Sequence, residues 1–139
     1  MKVREYTILE DRLYTEEHEW IKIENNAVKI GITDYAQNSL HEIVFVDLPE
    51  RELYVERMDA ISTAESVKAV SEIFTPLSGQ IVDVNEALTL NPEFVNHDPY
   101  NQGWIVEIQP NNLDEEKAML LKATEYAAFL HGLLTQKEH

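Results

Sequence analysis

The sequence predicts a mainly β fold, a small barrel or sandwich with a helix packed at its end. Short β-branched and aromatic runs recur, separated by turn chemistry. No Gly-rich linker, low-complexity tract or solenoid-length repeat interrupts them. An apolar stripe at helical spacing lies near the C-terminal end. The 139 residues suit one domain, 1–139, with a core over about 13–110 and a C-terminal helix over about 113–131.

The elements follow in order. "EWIKIE" sets Trp20 against Lys22 on one face and Ile21 with Ile23 on the other, while "AVKIGIT" aligns Val28, Ile30 and Ile32. The intervening "ENNA" supplies hairpin turn residues. "TDYAQNSL" predicts a short helix capped by Thr33 or Asp34, with Tyr35, Ala36 and Leu40 on a shared face. "EIVFVDLP" is a strand ended by Pro49. "MDAISTAE" and "AVSEIFTP" are two more, with Ser66-Val67-Lys68 as the bend between them. "SGQIVDVN" starts at a turn and then alternates imperfectly, "NPEFVN" is a helical turn opened by Pro92, and "GWIVEIQP" is the last strand. "NNLDEEKAMLLKATEYAAFLHGLL" then reads as one helix. Asn112 with Glu115 forms its capping box, and Met119, Ala123, Tyr126, Ala127, Leu130 and Leu134 form its packing stripe. The tail "TQKEH" is expected to fray.

A net charge of −15 argues against nucleic-acid binding and against an anionic membrane surface. It favours partners with basic patches, held by salt-sensitive contacts. The absence of cysteine excludes disulfides, thiolate metal sites and a cysteine nucleophile. The charged opening "MKVREYTILEDRLYTEEHEW" lacks the apolar core of a secretory signal, and no run approaches a bilayer-spanning length. A cytoplasmic location is expected.

No convergent set of acids, bases or nucleophiles is legible. His18, His41, His97, His131 and His139 are scattered without metal-ligand spacing, so no metal site is expected. There is no phosphate-cradling Gly-rich loop and no nucleophile elbow. The His18-Glu19 pair reads as surface or structural. Lys68 is different. It is the only lysine from Ile30 through Glu116, a span with seventeen Asp and Glu residues. Its flanks Ser66, Val67, Ala69 and Val70 crowd it little. A solvated turn lysine and an amide-modification site are both consistent with that, and modification would delete one positive charge.

"YTEEHEWIKIE", "VKIGITDYAQNSLHEIVFVDLP", "AESVKAVSEIFTPLSGQIVDVNEAL", "NPEFVNHDPY" and "GWIVEIQP", in that order, resemble the H proteins of the glycine cleavage system. The resemblance covers about residues 13 to 131 and implies a barrel-sandwich hybrid, a biotinyl/lipoyl-carrier-like fold of two small antiparallel sheets with short helices and a C-terminal α-helix. It implies a non-catalytic carrier with lipoate attached to Lys68, in a turn formed with Glu65, Ser66, Val67 and Ala69. Glu19, Ile32, Ala36 and Glu72 match an arm groove, where a carboxylate would pair with a cationic aminomethyl group. Glu65, just before the bend, reads either as a recognition contact for a lipoate ligase or lipoyl transferase or as a surface strand residue. The implied partners are a pyridoxal-phosphate glycine decarboxylase, a tetrahydrofolate-dependent aminomethyltransferase and dihydrolipoamide dehydrogenase. Between them the arm shuttles the aminomethyl group of glycine.

Some family features are missing. His41 replaces a usual glycine, "RELYVERMDA" carries none, and Ser62, Thr63 and Ala64 precede the "ESVKA" motif. The turn after Pro49 is therefore expected to be built differently, with Arg51 and Arg57 near the partner face. The departures keep a second carrier role open: an H-protein-like lipoate carrier serving a sulfur-oxidising complex that resembles heterodisulfide reductase.

Overall fold

A computed structural model describes residues 1–137. The chain opens with a ribbon of β1 (Lys2–Val3) and β2 (Tyr6–Thr7), then β3 (Leu13–Tyr14). The hairpin of β4 (Glu19–Glu24) and β5 (Ala27–Ile32) follows as expected, with Thr33 capping α1 (Asp34–Leu40) through its side chain. Next come β6 (Ile43–Asp47), β7 (Tyr54–Val55), β8 (Ala60–Ser66), β9 (Val70–Phe74) and β10 (Gly79–Val84). The one-turn helices α2 (Ala87–Leu90) and α3 (Phe94–His97) lead to β11 (Val106–Pro110), then α4 (Leu113–Lys117) and α5 (Ala123–Lys137).

Two main antiparallel sheets form, one ordered β3-β4-β5-β11-β10-β7 and one ordered β6-β8-β9. Ile21, Val28, Ile30, Ile43, Ile73, Ile81 and Ile108 meet between them as the first core. The second core holds Tyr14, Trp20, Tyr35, Tyr126, Leu130 and Leu134. Strand β4 is thus covered on both faces: Ile21 packs into the first core and Trp20 into the second. Gly31 lies directly across from Trp20, and a Cβ there would stand 2.6 Å from the indole. The missing side chain lets the ring lie on β5. Ile23, expected beside Ile21, is exposed because it sits at the hairpin's turn end, outside either core.

The expected single helix over about 113–131 is two helices. Leu121 and Tyr14 exchange backbone hydrogen bonds of 2.8 Å in both directions, which no continuous helix could supply. The break turns Leu120 into the first core and Ala123, Tyr126, Leu130 and Leu134 into the second. Met119, expected on the stripe, is 58% exposed at the break. Asn112 donates to the Glu115 carboxylate at 3.0 Å instead of capping a backbone N–H. Glu116 is buried, accepting from Ser78 N at 2.7 Å and Ser78 Oγ at 2.6 Å, and so ties α4 to the turn before β10. Thr135, Gln136 and Lys137 of the tail are helical; Glu138 and His139 lie outside the described residues.

The glycine-poor turns keep left-handed backbone with other residues. After Pro49, Glu52 stands at φ 71 and Met58 at φ 72. His41 ends α1 at φ 66 and ψ −153, a region that essentially only glycine occupies without strain. Its backbone is held by its amide's bond to Gln37 O at 3.1 Å and by Asn96, which donates to its carbonyl at 2.7 Å, contacts that glycine would keep; its exposed side chain makes no hydrogen bond among the described residues. Replacing His41 with Gly should stabilise the fold by about 1 kcal/mol, the gain being reduced by glycine's extra freedom when unfolded. Urea unfolding with an unchanged m-value measures it; a loss of stability contradicts this reading.

Candidate functional site

Strands β8 and β9 pair with Glu65 opposite Val70, leaving Ser66 to Ala69 as the connection. Ser66 N donates to Ala69 O at 2.8 Å, so the loop proper is Val67-Lys68. Neither residue has positive φ. The Ser66 hydroxyl takes the place of turn glycines: it accepts from Lys68 N at 3.1 Å and Ala69 N at 3.0 Å, and donates to Ala69 O at 3.1 Å. Val67 N donates to Glu42 O at 3.1 Å, tying the tip to the start of β6. Ser66 is only 7% exposed, while Val67 is 68% exposed and Glu65, Lys68 and Ala69 are exposed too. The Lys68 ammonium joins no ion pair among the described residues.

From this tip β9 runs to a groove of about 220 Å³. Glu19, Ile32, Ala36 and Glu72 all line it, so the groove brings together the four residues expected there from β4, β5, α1 and β9. Sequence reasoning missed Tyr35, Ser39, Leu40, Glu17, Ser71 and Ile73 as lining residues and set His18 aside. Spacing from "HEW" and "GITDYAQ" could have suggested the first three, since one helix, α1, carries them with Ala36.

Three carboxylates line the groove, Glu17, Glu19 and Glu72, and they differ in their setting. Glu72 is exposed. Glu19 is only 2% exposed, and accepts from Thr15 Oγ1 at 2.6 Å and from Phe74 N at 3.2 Å, fastening β4 to the end of β9. Burial raises its pKa, while the bonds from Thr15 and Phe74 act in the opposite direction. It is not an ordinary surface acid.

His18 is held just as closely. Its backbone sits at φ 71, and its Nδ1 lies 2.8 Å from Tyr126 Oη on α5. The ring packs against Tyr35, Tyr126 and Phe129. Burial, with some help from the Lys137 charge, lowers its pKa to about 4. Arg51 pairs with Asp83 and Glu86, and Arg57 precedes β8 at the end away from Lys68. Neither arginine flanks the tip.

Residues 12–132 match the family described as glycine cleavage H-protein. The chain belongs to that family. A probable glycine cleavage system H protein of Pyrococcus furiosus is 47% identical over 134 residues, covering 96% of this chain and 99% of the relative. A glycine cleavage system H protein of Staphylococcus epidermidis is 50% identical over 117 residues, covering 84% and 92%. A crystal structure of a glycine cleavage system H protein from Mycobacterium marinum superposes with a TM-score of 0.80 at 41% identity, covering 87% of this chain and 97% of that one. The barrel-sandwich hybrid expected from the sequence is thus the fold. Nothing in these relatives supports the alternative role in sulfur oxidation, and that reading is dropped. No helix among the described residues is long and apolar enough to cross a membrane.

The His18 environment has a pH consequence. Folded, His18 stays neutral down to about pH 4, whereas unfolded it takes up a proton below about 6.5. The unfolded state binds more protons between those values, so stability falls as pH falls through that window. The shift corresponds to about 3 kcal/mol in full. Glu19, with its raised pKa, works in the opposite sense but is common to both proteins compared here. His18→Asn tolerates the left-handed backbone and removes the titration. Urea unfolding between about pH 7 and 4.5 should show wild type losing roughly 2–3 kcal/mol more than the variant; equal slopes contradict the partly buried, neutral imidazole.

Proposed function

We propose that residues 1–139 form a single lipoyl-carrier domain of the glycine cleavage system, with lipoate attached by an amide to Lys68. The observation that carries this reading is the exposed ammonium, without an ion pair among the described residues, on a hydroxyl-fixed tip one strand away from a groove. The residues fit the group. A lipoyl-lysine arm spans about eleven bonds from Cα to its ring, roughly 14 Å extended. The four steps from Lys68 to Glu72, which leave the turn and enter β9 at Val70, cover at most roughly 13 Å. The arm can therefore fold back along β9 and bring its ring end level with Ile32, Ala36 and Ile73.

When bound, the lipoyl group supplies a dithiolane that takes up the aminomethyl group of glycine and is later reoxidised. The chain's own residues present and shelter it. Val67 and Ala69 leave the amine open to a lipoate ligase or lipoyl transferase, with Glu65 beside it as a recognition contact. Ile32, Ala36, Leu40 and Ile73 exclude water along one side of the groove. Glu72, solvated and unburdened by buried bonds, is the counter-ion for a cationic cargo. Glu19, already holding Thr15 and Phe74, shapes the groove floor and adds a second carboxylate.

The partners follow from this reading: the pyridoxal-phosphate glycine decarboxylase, the tetrahydrofolate-dependent aminomethyltransferase and dihydrolipoamide dehydrogenase. Tethering turns each delivery into a local search at raised effective concentration. The cysteine-free sequence offers no thiol to exchange with the arm's disulfide. The chain itself is read as non-catalytic.

Incubation with lipoate, ATP and a lipoate ligase should raise the intact mass by one lipoyl group, and Lys68→Arg should abolish the rise. The lipoylated protein should then support glycine-dependent carbon dioxide exchange by the decarboxylase. An unchanged mass, or a mass gain that survives Lys68→Arg, rules the assignment out.

A further inference from the structure

A chain of hydrogen bonds decides which nitrogen of His18 carries its proton. Thr33 is fully buried, and its hydroxyl already accepts from Ala36 N at 3.2 Å as the cap of α1. The hydroxyl proton has one acceptor among the described residues, Tyr126 Oη at 2.9 Å. Tyr126 is fully buried as well. With Thr33 donating to it, its own proton goes to His18 Nδ1 at 2.8 Å. Nδ1 is then an acceptor, and the imidazole proton sits on Nε2. The reverse orientation strands the Thr33 proton in the interior, the kind of unmet donor that folded chains avoid.

His18 lines the groove, and its Nε2 makes no hydrogen bond among the described residues. The residue cannot easily turn away. Its amide donates to Thr15 O at 3.1 Å, its carbonyl accepts from Thr33 N at 2.9 Å, and its ring lies between Tyr35 and Phe129. Ser39 and Ser71 also line the groove, but hydroxyl protons rotate freely.

We propose that the Thr33–Tyr126–His18 relay makes His18 Nε2–H a fixed hydrogen-bond donor to a sulfur of the bound lipoyl arm. This rests on the lipoyl assignment above. Along the arm, the amide lies about six bonds from the Lys68 Cα, roughly 8 Å, level with Val70 and Ser71. The ring end is what reaches Glu72 and Ile73, which share the groove with His18. Charge favours the same choice. Glu17, Glu19 and Glu72 also line this groove, and an imidazolium would pair with them instead of with sulfur. Burial and the neighbouring Lys137 keep the ring uncharged. A neutral N–H orients a sulfur lone pair without competing with the carboxylates for a cationic cargo. His18 is thus a positioning residue, and α5 reaches the groove through Tyr126.

The test uses protein labelled with nitrogen-15 at histidine and two-bond proton–nitrogen spectra at neutral pH, with His18 assigned by its loss in His18→Asn. The unmodified protein should show His18 neutral and protonated on Nε2. Tyr126→Phe, which keeps the aromatic ring, should release the tautomer into a mixture. On lipoylation, confirmed by mass, the His18 Nε2 signal should move together with the Ile32 and Ala36 methyl signals. A proton on Nδ1, an imidazolium, or an unchanged tautomer in Tyr126→Phe overturns the relay. Shifts at Ile32 and Ala36 with a silent Nε2 overturn the sulfur contact and leave the carrier reading intact. Silence at every groove residue removes the arm groove itself, and this inference with it.

Discussion

The Ser66 hydroxyl is the contact on which the site depends. It closes a two-residue turn with no glycine and no left-handed backbone at the tip. Three hydrogen bonds converge on one nearly buried oxygen, so the backbone on both sides of Lys68 is fixed while its side chain is free. Such bonds contribute about 1 kcal/mol each when both partners would otherwise meet water. The same turn sets the register of β8 against β9, with Glu65 opposite Val70 and Thr63 opposite Glu72. Register then decides that Glu72 and Ile73 arrive at the groove. A slip of one residue would send that wall to the other face.

The second organising constraint is charge. In a chain of net charge −15, one amine stands alone at the tip, and the groove behind it is walled by carboxylates of two kinds. Glu72 is solvated and available to an incoming cation. Glu19 is withdrawn from water and committed to Thr15 and Phe74, so it joins the two sheets as well as facing the groove. Amide formation at Lys68 would remove the local positive charge and leave the acidic wall unopposed. That would suit the cationic cargo and the basic partner surfaces of the proposed carrier role.

The sequence made the strands, the exposed turn at Lys68 and four groove-lining residues legible because each has a local signature. Alternation marked β4 and β5, and a solitary lysine between two extended runs marked the tip. What stayed hidden depends on distant partners. Leu121 leaves the helix to pair with Tyr14, more than a hundred residues away, and no glycine or proline announces it. Nothing in the local pattern separates Glu116 from its acidic neighbours Asp114 and Glu115, yet it is a buried acceptor for Ser78. His18 could be read only as surface or structural, because Tyr126 and Phe129, which pack against it, come from the other end of the chain. Left-handed backbone at His41, Glu52 and Met58 was invisible for a simpler reason: the residue type that signals it is absent.

The family resemblance, the fold and the tip geometry converge on one tether in one place. Lys2, Lys22, Lys29, Lys117, Lys122 and Lys137 are alternative amines on the same chain, and none of them lies on the β8–β9 turn. Peptide mapping by tandem mass spectrometry, on protein isolated from the cells that make it, distinguishes all seven lysines. The account predicts a lipoyl group on Lys68 and bare amines at the other six. A lipoyl group on any other lysine, or none at all in cells actively cleaving glycine, would contradict it.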